Sequence, residues 1–122
     1  MTDIPEEIAR PVEDYLRGAY HGDANRLTRA FHPEAHIVGF LGEMYLDEPA
    51  PDFTARLAAE ESEEAAGHAY DKRILSAEWT ENTAMVAAEN NVHGRRFIDY
   101  LLLMKIDGRW VIRNKIYTTP PK

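Results

Sequence analysis

FIDYLLLMKIDGRWVIRNKIY, residues 97–117, decides the fold. Two long apolar stretches flank Asp107-Gly108, a pair that accepts the backbone angles of a tight two-residue turn. The segment therefore reads as an antiparallel hairpin with strands at about 95–106 and 109–118. Working back along the chain, the same period of two recurs at about 70–79 and 83–92. Turns at 80–82 (TEN) and 93–94 (HG) separate these strands.

The N-terminal half follows a different period. Ile4, Ile8, Val12, Tyr15, Leu16 and Ala19 recur at helical spacing and make one apolar stripe. Asp3 can cap this helix, and Pro5 suits its first turn. Pro11 removes a backbone bond within it, so a kink or a restart is expected there. Gly22 ends it. Asp23 caps a short second helix with Leu27, Ala30 and Phe31 facing inward. A strand follows from about Ala35 to Phe40, then a turn at 41–43 and a short strand from Met44 to Leu46. Pro51 opens a third helix whose inner face carries Phe53 and Leu57. The acidic ESEEAAGHA that follows reads as a helix end and a solvated loop. Helices first and a run of antiparallel strands last give an α+β domain.

The chain has 122 residues, which fits one domain over 1–122 with roughly 65% of the unfolded surface buried. A hydrophobic content of 44% argues against disorder. With no cysteine, disulfides and thiolate chemistry are excluded, and the cytoplasm is the expected compartment. The acidic start MTDIPEE has neither the basic nor the apolar region of a secretory signal. No apolar run approaches the roughly 20 residues of a membrane helix. A net charge of −7 without a basic patch disfavours nucleic acid and anionic membranes as partners.

The strand FIDYLLLMKI is apolar on both faces, whereas a half-solvated antiparallel strand alternates. One face can pack on the helices. The other needs a cover that the chain has no helix left to supply. A homodimer through the outer sheet face is the expected solution; a strongly curved sheet that covers its own central strand is the alternative.

The combination of YLRGAYHGDANRLTRAFHPEAHIVG (15–39), RFIDYLLLMKIDGRW (96–110) and VIRNKIY (111–117) resembles the nuclear transport factor 2-like families. Within them the chain is similar to the SnoaL-like or "putative lumazine-binding" group. The resemblance implies a cone: N-terminal helices packed on a strongly curved, mainly antiparallel sheet, with an apolar pocket between helix and sheet and dimers through the outer sheet. It implies no single activity, because isomerases, dehydratases, cyclases and pure binding subunits share this fold. The lumazine label is a family name, and no residue pattern here marks a pteridine site.

The chain also resembles, more distantly, the ketosteroid isomerases. In that alignment their general-base position falls on Gly39, which carries no titratable group. Tyr15 falls on their oxyanion-hole tyrosine and Asp99 on the aspartic acid that shares the oxyanion. Asp99 is independently conspicuous, because an unpaired carboxylate inside an apolar strand is costly. Desolvation there favours the neutral, hydrogen-donating acid. A tyrosine hydroxyl beside it would clamp a carbonyl or phenolate oxygen. A structural link to Arg95, Arg96 or another basic side chain is the competing reading.

Other candidates for the pocket are Phe40, Tyr45, Phe53 and Leu57, expected around the mouth. Alternation along the last strand places Trp110, Ile112, Asn114 and Ile116 on one face and Arg113, Lys115 and Tyr117 on the other. The tryptophan face is taken as core or pocket wall. His32, Glu34 and His36 suggest a metal cluster by spacing. However, Pro33 breaks the helix that would align them, so no metal site and no cofactor are expected. His36 is placed on the outer side of the sheet. His21, His68 and His93 read as structural or solvated. The functions that fit are a small-molecule-binding domain, a cofactor-independent isomerase, dehydratase or cyclase using Tyr15 and Asp99, and an interaction module using the outer sheet face. The enzyme needs a base opposite the clamp, for which Asp47 or His36 would have to turn inward.

Overall fold

The computed structural model describes residues 3–121. Three helices, α1 (Glu6–His21), α2 (Ala24–Ala30) and α3 (Ala50–Ala59), pack on one side of a curved six-stranded sheet. The strands are β1 (His36–Leu41), β2 (Met44–Pro49), β3 (Lys72–Thr80), β4 (Thr83–Val92), β5 (Arg95–Ile106) and β6 (Arg109–Thr118). Their order is β2-β1-β6-β5-β4-β3. All neighbours are antiparallel except β1 and β6, which run parallel. The α+β cone expected from the sequence is the architecture observed. No helix among the described residues is long and apolar enough to cross a membrane.

The first helix departs from expectation at two points. Pro5, not Asp3, occupies its N-cap position, and no side chain among the described residues caps it. Pro11 neither ends nor restarts it: α1 is continuous, and Pro11 is buried with Ile8, Val12, Tyr15 and Leu16. Losing one bond to the Glu7 carbonyl is offset by burying that whole stripe on the sheet. Gly22, at φ 68°, ends the helix with its N–H bonded to the Gly18 carbonyl. Asp23 caps α2 by accepting from the N–H groups of Asn25 and Arg26. Strand β2 continues beyond Leu46 to Pro49, because its pairing with β1 extends to His36 opposite Pro49. Proline is tolerated there, at the end of an edge strand.

The core lies between α1 and the inner face of β4–β6, where Ile8, Val12 and Leu16 meet Val86, Leu101, Leu103 and Ile112. A bulge shapes this face. Leu102 pairs with Asn114, but Leu103 pairs with Ile112, so Arg113 is the extra residue. One extra residue reverses which side every later side chain faces. Trp110 and Ile112 therefore share the inner face with Lys115 and Tyr117, which are 3% and 9% exposed, while Ile116 points out at 52%. The expected grouping of Ile116 with Trp110 is corrected by this bulge. On the outer face Met85, Tyr100, Leu102, Met104 and Ile116 are all exposed.

Candidate functional site

A cavity of about 600 Å³ opens between α1, α3, the loop at 60–63 and the end of the sheet nearest the β4–β5 turn. That volume lies within the usual range for small-molecule pockets. Its walls include Tyr15, Ile37, Phe53, Leu57, Phe97 and Tyr117. The Tyr15 ring packs against Phe31 at 5.3 Å and Phe53 at 6.4 Å between ring centroids.

The inner end is polar. Tyr15 Oη donates to Asp99 Oδ2 at 2.6 Å. It accepts from Lys115 Nζ at 2.5 Å and from Asn90 Nδ2 at 3.1 Å. Lys115 Nζ lies 3.7 Å from Asp99 Oδ1, an oxygen that has no hydrogen-bond partner among the described residues. Asn90 extends the cluster: its Oδ1 accepts from Lys72 Nζ, which also donates to both oxygens of Glu63 at 3.0 and 2.9 Å. Two buried cations thus face two buried carboxylates along one chain, with Tyr15 and Asn90 between them. Burial pushes the Tyr15 phenol well above its ordinary range, and the charge of Asp99 adds to this. Burial holds the ammonium groups of Lys115 and Lys72 below theirs, against the upward pull of Asp99 and Glu63. The Lys115 ammonium is also surrounded by π faces, 4.6, 5.1 and 5.0 Å from the ring centroids of Tyr15, Phe53 and Tyr117.

Of the residues singled out by sequence, Tyr15, Phe53 and Leu57 line the cavity. Asp99 lies directly behind that wall at 0% exposure, reaching the cavity through Tyr15, Lys115 and Asn90. Its partner is Lys115, while Arg96 binds Glu89. Three expectations are corrected. Phe40 and Tyr45 are exposed and pack on each other at 6.0 Å on the β1–β2 hairpin, away from the cavity. Cross-strand pairing of Phe40 with Tyr45 directs both rings to the same face of the hairpin. Trp110 is buried in the core beside the β5–β6 turn, at the opposite end of β5 and β6 from the cavity.

Position 39 is closed to any side chain. A Cβ on Gly39 would stand 2.3 Å from the Tyr117 carbonyl oxygen and 2.6 Å from its ring. His36 is exposed and bonded through Nδ1 to Asp47 at 2.7 Å; Asp47 also borders the cavity. His32 Nδ1 accepts from the Glu34 N–H. Among the described residues no group of three or more His, Asp or Glu could hold a metal ion.

Sequence reasoning missed Lys115, Asn90, Lys72 and Glu63. Lys115 was hidden by the Arg113 bulge. Glu63, 2% exposed, lies in an acidic run whose neighbours Glu61 and Glu64 are exposed, and nothing in residue type separates it from them.

The family described as "Putative lumazine-binding" matches residues 4–118. Similar solved structures include an NTF-2 like protein of unknown function from Silicibacter pomeroyi. It is 27% identical with a TM-score of 0.77, over 94% of this chain and 97% of that one. A second, from Methylobacillus flagellatus, is 26% identical with a TM-score of 0.78, covering 95% and 91%. A protein named aldolase FrzH, from a Cladobotryum species, is 26% identical over 110 residues, 88% of this chain and 85% of that one.

Proposed function

This chain belongs to the "Putative lumazine-binding" family, with the nuclear transport factor 2-like fold, and from that membership we propose that it binds a small cyclic or apolar organic molecule bearing an oxygen. The observation that carries this reading is the buried cluster of Tyr15, Asn90 and Lys115 at the inner end of a cavity whose walls there are aromatic and aliphatic and whose mouth is charged. A core gains little from burying such groups, whereas a site gains orientation from them. Phe53, Leu57 and Tyr117 contact the body of the ligand, and Lys115, held in place by the Tyr15 hydroxyl, donates to its oxygen.

The test is a titration with neutral cyclic ketones and phenols followed by protein NMR. Shifts should concentrate at Tyr15, Phe53, Leu57, Lys115 and Tyr117. Tyr15→Phe should weaken binding about tenfold, near 1.4 kcal/mol. Shifts confined to the outer sheet face would overturn the assignment.

A second reading is catalytic: a cofactor-independent reaction at a carbonyl, with Lys115 and Tyr15 polarising the oxygen and Asp99 orienting Tyr15. It is supported by the lysine held below its ordinary range and by the relative named an aldolase. Asp47, one of several carboxylates that line the cavity, is the base this reading assigns.

We further propose self-association through the outer sheet. Met85 pairs with Leu102 and Tyr100 with Ile116 across β4–β6, making one exposed apolar patch. The helices all pack on the other side, so a second copy of the same patch is the simplest cover. Sedimentation at micromolar concentration should give twice the monomer mass, and Leu102→Glu should give the monomer. A monomeric parent protein would contradict this.

A further inference from the structure

In the binding reading the Lys115 amine serves only as a donor, but its setting equips it for more. It projects from the inner face of β6 into the cavity wall, enclosed by three aromatic rings that exclude bulk water. Burial holds its ammonium below the ordinary lysine range, with Asp99 pulling against that shift and Lys72 and Arg56 adding to it. A proton path adjoins it: Tyr15 Oη at 2.5 Å, then Asp99 Oδ2 at 2.6 Å, with Asp99 Oδ1 free of hydrogen bonds among the described residues. The mouth selects by charge. Asp52, Glu60 and Glu61 stand around it and outnumber Arg95, while Arg56 is already engaged by Glu48 and Glu60. An anionic ligand is repelled there, and a neutral or cationic one is admitted.

We propose that Lys115 is a nucleophilic amine that condenses reversibly with a neutral or cationic ketone or aldehyde in the cavity, forming an imine. This rests on the cavity being a ligand site and adds the class of ligand and its bond to the protein. The neutral amine attacks the carbonyl carbon. A C–N bond forms, and the carbonyl π pair moves to oxygen, which takes a proton through Tyr15. The nitrogen of the resulting carbinolamine returns one proton to Tyr15. The hydroxyl takes a proton from Tyr15 and leaves as water while the nitrogen lone pair closes the C=N bond, and the iminium then gives its remaining N–H proton back to Tyr15. Ketone or aldehyde plus amine thus become imine plus water, with no oxidant, reductant or second reactant. Asp99 acts through Tyr15 and Lys115 and is a positioning residue.

The protein is incubated with benzaldehyde or cyclohexanone, reduced with cyanoborohydride, digested and mapped by mass spectrometry. The reduced adduct should form on Lys115 in preference to the exposed Lys105. It should disappear from that peptide in Lys115→Met, and it should fall in Tyr15→Phe, which retains the amine. The same probes are titrated without reductant by NMR. Cavity shifts with adducts only on Lys105 or other surface amines would overturn the imine and leave the binding reading standing. Absence of cavity shifts as well would overturn both.

Discussion

Asp99→Leu alone should destabilise the protein by about 3–5 kcal/mol, the usual loss when one partner of a buried ion pair is removed. Asp99 is 0% exposed and Lys115 3%, so removing the carboxylate strands an ammonium in a site that water barely reaches. Lys115→Met should cost a comparable amount for the opposite reason. The double variant should recover most of the loss, because two apolar side chains in this space need no counter-charge. Urea unfolding of the four proteins closes the cycle. Strong recovery in the double variant means that the pair contributes little net stability and is kept for the cavity it faces. Additive losses would mean that each residue holds the fold independently, and the functional reading of the pair would lose its physical basis.

Gly39→Ala should lower stability by about 3 kcal/mol and the melting temperature by about 10 °C. The added methyl would meet backbone first, the Tyr117 carbonyl at 2.3 Å, and then the Tyr117 ring. Glycine is needed here for space: β1 and β6 approach in parallel with Gly39 opposite Tyr117. Relief requires the strands to part or the Tyr117 ring to swing into the cavity. The variant should therefore also bind cavity ligands less well. Thermal unfolding checks the first effect and the NMR titration the second; an unchanged melting temperature would show that the β1–β6 contact is looser than described. The same closure explains why no base can stand at position 39.

The strands of the meander were legible because their punctuation is local. Asp107-Gly108 and His93-Gly94 mark turns, with positive φ at all four residues. The long period-two runs between those turns leave little freedom in register. Asp99 was legible as a charge inside an apolar strand, and Tyr15 through its place in the helical stripe and the isomerase resemblance. Lys115 was not, because a bulge is a property of two strands together: Arg113 is extra only relative to Leu102 and Leu103 on β5. Phe40 and Tyr45 were drawn to the cavity by their aromatic character, whereas the β1–β2 pairing turns them to solvent. Burial of Glu63 depends on Lys72 and Asn90 arriving from β3 and β4 to meet it. No local pattern around residue 63 records that meeting.

NMR of protein labelled at lysine Cε, titrated with pH and then with cyclohexanone, checks whether the Lys115 amine stands in the wall of a ligand-binding cavity. The Lys115 signal should titrate below the ordinary lysine range, and cyclohexanone should shift Lys115 while leaving Lys105 in place. A Lys115 signal that titrates in the ordinary lysine range and ignores the ketone would overturn both the site and its ligand.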